Sequence, residues 1–193
     1  MYPDLRIALQ MFSDCDEREL DCIEQHFTPK QVKKNQILVR EGSICKTFYY
    51  VRKGCLRTYF TDKNGRDKTR YIMADHHLGT ALSSFITQRP SLEFLEAIEH
   101  SELLTISHDS FYELNNKLNG WKQFYQKILE MAYTFQNRKI EALTTLTAQQ
   151  RYNQLMLEHP ALSHRVTNKV LASYLDIREE TLSRLKSGVK YND

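Results

Sequence analysis

The spacing of apolar residues changes period along the chain, and each change marks an element. Residues 1–30 carry helix-like spacing in LRIALQMF and ELDCIEQHF, with Ser13 or Asp14 placed to cap the second helix. From Pro29 to about Ile106 the period becomes two. Strands are expected over Gln36–Val39, Thr47–Arg52, Cys55–Phe60, Lys68–Met73, Phe94–Ile98 and Glu102–Ile106. Gly42, Gly54 and Asn64-Gly65 punctuate them, the last a two-residue hairpin signal. Ser107 can cap a short helix through Leu118, and Asn119-Gly120 then breaks the chain. Trp121 to about Leu146 reads as one long helix of roughly 40 Å. Along it Trp121, Ile128, Phe135 and Ala142 recur on one seam, with Tyr125, Ala132 and Leu146 beside it, and Lys139 falls on that inner side. Thr147-Ala-Gln-Gln150 is a capping box that opens a further helix ending near His159-Pro160.

The stretch TNKVLASYLDIREETLSRLK, Thr167–Lys186, has the layout of two short helices about a tight turn. Leu171, Ala172 and Leu175 line the inner side of the first, and Leu182 and Leu185 that of the second, with Leu155 and Leu162 expected in the same core. This leaves Arg178, Glu179, Glu180, Thr181, Ser183, Arg184 and Lys186 facing outward. Base edges present donors, acceptors and thymine methyls, so a charged, hydroxyl-bearing helix face is what major-groove readout needs. The turn wants a positive φ. Asp176 stands there in place of glycine, and Asp tolerates that region better than most residues. An ordinary amphipathic hairpin has the same apolar spacing. Local charge tips the balance, with six Lys or Arg against three acids from Arg165 to Lys190.

Composition narrows the classes. The chain has 193 residues, 41% hydrophobic and 26% charged, which reads as soluble and globular, and the strands and helices above make the expected class α+β. A net charge of +3 decides nothing about partners by itself. No apolar run approaches a membrane span and no targeting segment is evident, so no membrane partner and a cytoplasmic location are expected. Cys15, Cys22, Cys45 and Cys55 lack the clustering of a metal or cluster site, and the neighbours His76 and His77 are poorly placed for joint ligation. Residues 30–70 hold twelve Lys or Arg against Glu41, Asp62 and Asp67. The plain reading is a solvated surface; the sharper one has Lys33 and Lys34 touching flanking phosphates.

VLASYLDIREETLSRLK resembles the recognition motif of the Crp/Fnr family of bacterial transcription factors. RYNQLMLEHPAL resembles that family's linking helix, and EGSICKTFYYVRKGCLRTYF its sensor barrel. The resemblance implies an N-terminal antiparallel β-roll (double-stranded β-helix-like) flanked by helices over 1–118. A long dimerisation helix would follow over 119–146, then a helix-turn-helix domain over 147–193 with little or no wing after SGVKYND. It also implies a homodimer on palindromic double-stranded DNA, Trp121, Tyr125, Ile128, Ala132, Phe135 and Ala142 forming the dimer seam. RNA polymerase is a further candidate partner. Glu180, Thr181 and Arg184 match the family's Glu, Thr/Ser and Arg positions, while Glu179 stands where the cyclic-AMP receptor protein has a second base-reading Arg. Thr167, Asn168 and Lys169 open the first helix and are candidate phosphate contacts through N–H groups and side chains.

Relatives that bind cyclic AMP hold its phosphate with an Arg and its ribose with a Glu. Here Gly79 is followed by Thr80, and Ser91 falls at the Arg position with Arg89 two residues away. Cyclic-nucleotide binding is therefore expected to be lost and the effector is left unknown, with Gly79, Thr80, Ser83, Ser84, Arg89 and Ser91 as a candidate pocket. No nucleophile–base pair, paired carboxylates or phosphate-binding glycine loop argues for catalysis. The expectation is a DNA-binding regulator with no cofactor. A small-molecule sensor or interaction module with a vestigial DNA-binding half is the competing reading.

Overall fold

The computed structural model describes residues 2–188. Any wing at residues 189–193 lies outside the described residues. The element order is α1 (Pro3–Gln10), α2 (Glu17–Gln25), β1 (Thr28–Val32), β2 (Ile37–Val39), β3 (Thr47–Lys53), β4 (Leu56–Thr61), β5 (Asp67–Met73) and β6 (Leu78–Gly79). Then come α3 (Leu82–Thr87), β7 (Phe94–Ala97), β8 (Ser101–Ser107), α4 (His108–Lys117), α5 (Asn119–Thr145), α6 (Ala148–Glu158), α7 (Leu162–Arg165), α8 (Asn168–Leu175) and α9 (Glu179–Lys186).

The strands form two four-stranded sheets, ordered β1-β8-β3-β6 and β2-β7-β4-β5. Antiparallel registers such as Phe48↔Ile106 and Thr58↔Leu95 fix which side chains face the core. Together the sheets make the expected antiparallel roll. Phe48, Phe85, Phe111 and Trp121 are fully buried, and the Phe111 ring lies 5.1 Å from Phe48 and 5.0 Å from Trp121 between centroids. Arg57 and Glu96 form a buried pair on β4 and β7, Nε to Oε2 at 2.8 Å.

The chain divides into two compact units, residues 1–59 with 71–132, and residues 60–70 with 133–193. The tip of the β4–β5 hairpin thus belongs with the C-terminal helices, and α5 runs through both units. This departs from boundaries placed at residues 118 and 146, because the hairpin is joined to α8 by side-chain pairs that no local pattern announces.

Several local readings change. Asp16 caps α2, accepting from Glu19 N at 2.8 Å, while Ser13 Oγ donates back to Leu9 O. β1 and the two-residue β6 are strands that periodicity missed. β1 contains Pro29 and buries only Val32, so it shows no alternation to read. The Asn64-Gly65 loop is one residue longer than a two-residue turn. Asp62 N donates to Arg66 O, leaving Lys63, Asn64 and Gly65 between, with Gly65 at φ 73°. Asp62 Oδ1 takes the Asn64 and Arg66 amides, which hold its carboxyl below the usual range. Leu118, extended, makes the break after α4, and Asn119-Gly120 open α5. Gly120 sits there because a Cβ would meet Cys15 Sγ at 2.4 Å.

Candidate nucleic-acid interface

In the second unit, α8 and α9 form the helix-turn-helix. Thr167 caps α8 by accepting from Val170 N, and Asp176 ends it at φ 54°, ψ 47°, in the left-handed conformation the turn demands. Leu171, Ala172, Leu175, Leu182 and Leu185 are buried together with Leu155, Val166 and Val170; Leu162 is half-buried. Packing these residues fixes the roll of α9, so its other face is held outward. Thr167, Asn168, Lys169, Arg178, Glu179, Glu180, Ser183, Arg184 and Lys186 are exposed, and Thr181 is half-buried at the edge. Arg178 lies at the N-cap position, just before α9. Lys186 Nζ donates to Asn168 Oδ1 at 2.7 Å, bridging the end of one helix and the start of the other.

Arg151, Lys68 and Thr69, which the sequence did not single out, position this pair together with Lys139. Arg151 on α6 donates to the Leu146 carbonyl at 2.6 Å and to the Leu175 carbonyl at 3.1 Å, serving the open C-terminal end of α8. The hairpin tip adds an ion pair between Lys68 and Asp176 and a hydroxyl pair between Thr69 Oγ1 and Ser173 Oγ at 2.5 Å. Lys139 on α5 donates to the carbonyls of Thr69 and Arg70, each at 2.8 Å, with its ammonium 3.7 Å from the Tyr174 ring centroid. Burial, with Arg70 nearby, lowers the Lys139 pKa to about 7, against a smaller opposing pull from Asp176. The only sequence signal was a lysine on an apolar seam. A cleft of about 780 Å³ is lined by residues 65–68, by Lys169, Ala172 and Ser173 of α8, by turn residues 176–178, and by Glu179 and Glu180 at the start of α9. Arg66, Lys68, Lys169 and Arg178 line it opposite Asp67, Asp176, Glu179 and Glu180, so its charge is balanced.

The long helix corrects part of the expected seam. Trp121 is wholly buried in the first unit, its indole N–H donating to Phe111 O at 3.0 Å. Tyr125 reaches Tyr112, hydroxyl to hydroxyl at 3.0 Å, and Ile128 packs against the same core. These three therefore face their own unit, and Ala132, Phe135 and Ala142 are half-buried. A heptad pattern has two flanks, and burial shows which one is spent. The other reads Leu129, Tyr133, Gln136, Ile140 and Leu143, at four-three spacing; Leu129 and Gln136 are half-buried, while Tyr133, Ile140 and Leu143 are 69%, 60% and 38% exposed.

The candidate effector residues do not converge on free space. Thr80 Oγ1 donates to Thr47 O at 2.7 Å and lies 2.9 Å from Cys45 Sγ. Ser84 Oγ donates to Arg89 O and accepts from Cys45 N, while Ser91 Oγ donates to Glu93 O. Ser83 and the Arg89 side chain face solvent. Gly79 is required by close approach, since a Cβ there would stand 2.5 Å from Met73 Sδ. The buried hydroxyls serve the fold's own backbone. Lys33 and Lys34 are exposed.

Comparison with known proteins covers both units. Residues 29–117 match the family model described as the cyclic nucleotide-binding domain. The fumarate and nitrate reduction regulatory protein of Yersinia pestis is 26% identical, over 88% of this chain and 72% of its own length. The structure is also similar to that of FixK2 from Bradyrhizobium japonicum, with a TM-score of 0.76 at 15% identity, over 86% of this chain and 89% of that one. A chain assigned to the Crp/Fnr family, from Eubacterium rectale, gives a TM-score of 0.72 at 18% identity over 91% of this chain and 83% of its own. These likenesses support a Crp/Fnr-type chain, and the structure has the roll, the long helix and the helix-turn-helix in that order. Among the described residues no helix is long and apolar enough to cross a membrane, and no three His, Cys, Asp or Glu side chains come together as a metal site.

Proposed function

We propose that the protein is a transcription regulator that binds a palindromic operator as a homodimer and has no catalytic role. The observation that carries this is the outward face of α9, with Glu180, Ser183 and Arg184 exposed over a core locked by Leu182 and Leu185. On that face Arg184 is assigned a bidentate guanine contact and Glu180 a cytosine amino group. Thr181 and Ser183, with Thr167, Asn168 and Lys169 at the start of α8, are assigned to phosphates. Lys186 and Arg178 add charge at the two ends, and Glu179 makes the operator differ from that of a regulator with Arg there.

The open flank of α5 is assigned to the twofold axis. Pairing Tyr133, Ile140 and Leu143 with their mates would bury apolar surface that one chain leaves in water. A twofold dimer places two recognition helices about 34 Å apart, one turn of B-DNA. The roll is assigned no cyclic nucleotide, because its buried hydroxyls are already bonded and no Arg stands at position 91.

Selection from random duplex DNA tests the reading, run at two salt concentrations with wild type and Arg184→Ala. The expected result is a palindrome, with Arg184→Ala costing about 1–3 kcal/mol and relaxing one base pair per half-site. Weak, unselective binding by wild type that vanishes at the higher salt would count against it.

A further inference from the structure

The first unit contains a cavity of about 510 Å³ that none of the expected effector residues lines. Its size falls within the usual span of small-molecule sites, about 300–1,000 Å³. Its walls are mainly apolar. Ile7 and Met11 come from α1, Ile128 and Met131 from α5, and the ring of Tyr71 from β5. Ile7, Met11 and Met131 are 61%, 71% and 44% exposed, so the mouth is an apolar rim facing water.

One end is polar. Tyr50 Oη lies 3.1 Å from His76 Nδ1, and His76 is held at φ 63°, a conformation a non-glycine residue keeps only where its surroundings enforce it. Burial raises the Tyr50 hydroxyl to about 12, so it stays protonated and uncharged at neutral pH. Asp4, on the same wall, accepts from Arg52 Nε through Oδ2 at 3.0 Å, while its Oδ1 is buried without a hydrogen-bond partner among the described residues. A buried acceptor without a donor is costly; almost no solvent reaches Oδ1, and a ligand whose donor displaces the side chains covering it would relieve that cost. Carboxylates on the wall disfavour anions, and the apolar body of the cavity disfavours a bare cation.

We propose that this cavity binds a small uncharged molecule with an apolar body and one hydroxyl or amino donor, of the size and kind of an alkylphenol. Such a ligand would touch α1 and α5 at once and brace the upper part of the long helix against the roll. The site is separate from the roll interior, and its occupancy does not depend on the DNA-binding assignment.

The test is calorimetric titration of the full chain with 4-butylphenol and with its methyl ether, 4-butylanisole, which lacks the donor. The phenol should bind saturably, one per chain, and raise the melting temperature by about 2–4 °C at roughly five times its dissociation constant. The ether should bind on the order of tenfold more weakly. Met131→Trp, which fills the mouth, should abolish binding with circular dichroism unchanged, and Ile7→Trp is a second plug on the opposite rim. Asp4→Asn should erase the preference for phenol over ether. Absence of saturable phenol binding to folded wild type would overturn the proposal. So would binding that the plugs and Asp4→Asn leave unaltered, since that places the probe elsewhere.

Discussion

Asp176 shows how much one residue is asked to do. It takes the left-handed conformation of the turn, which costs a residue with a Cβ roughly 1–2 kcal/mol, and it pairs with Lys68. That pair is half-exposed, so its contribution is about 0–1 kcal/mol and cannot outweigh the strain by much. Asp176→Gly, trading strain for the ion pair, should leave the urea midpoint nearly unchanged. Asp176→Ala, which loses the pair and keeps the strain, should lower stability by about 1 kcal/mol. Lys139 gives a pH signature. Its folded-state pKa is about 7 against an ordinary 10.5, so between those values the unfolded chain holds the extra proton. Stability must therefore rise with pH across that window, by up to about 1.4 kcal/mol per unit from this group. In denaturation curves at pH 7, 8 and 9, the rise should be shallower in Lys139→Met. Equal slopes would show that Lys139 does not titrate in that range. The turn conformation of Asp176 was legible from sequence; the partners of Lys139 were not, because the carbonyls of Thr69 and Arg70 lie about seventy positions away.

At the scale of elements, reading succeeded where a period ran long enough to fix a face. The two helices of the DNA-reading pair were legible down to their buried leucines, and the capping box at Thr147 and Gln150 is formed as the spacing implied. Reading failed where pairing is non-local. β1 is a strand because β8 lies beside it, with Thr28↔Thr105 to Val32↔Ser101 in register, and nothing in TPKQV alternates. On α5 the helix is there as read, and Trp121, Tyr125 and Ile128 turn into their own unit. Apolar spacing could not tell which side Trp121 and Tyr125 would spend on their own unit. The assigned flank makes a sharp forecast. Tyr133→Glu with Ile140→Glu should shift the protein to monomer in sedimentation equilibrium, with the far-ultraviolet dichroism of the monomer retained. Trp121→Ala should instead destabilise the first unit by about 3–5 kcal/mol, as truncation of a buried aromatic does.

For the whole molecule, the outward residues of α9 were legible because they follow from one helix's amphipathicity, whereas the setting of the candidate effector residues was not. Thr80, Ser84 and Ser91 look available in a string of letters, and only the folded chain shows their hydroxyls already engaged. The cavity beside α1 and α5 draws on residues from Asp4 to Met131, and no window of sequence contains it. The unit that carries the helix-turn-helix is itself discontinuous, since residues 60–70 belong to it. Lys68 and Thr69 meet Asp176 and Ser173 through side chains, so those positions must change together or be inherited together. A recombination event or a designed chimera that crosses over once, near residue 133, would import a foreign reading head and leave it facing a hairpin selected for another. Swapping the head between relatives therefore takes two crossovers more, to carry eleven residues from the middle of the sensor with it.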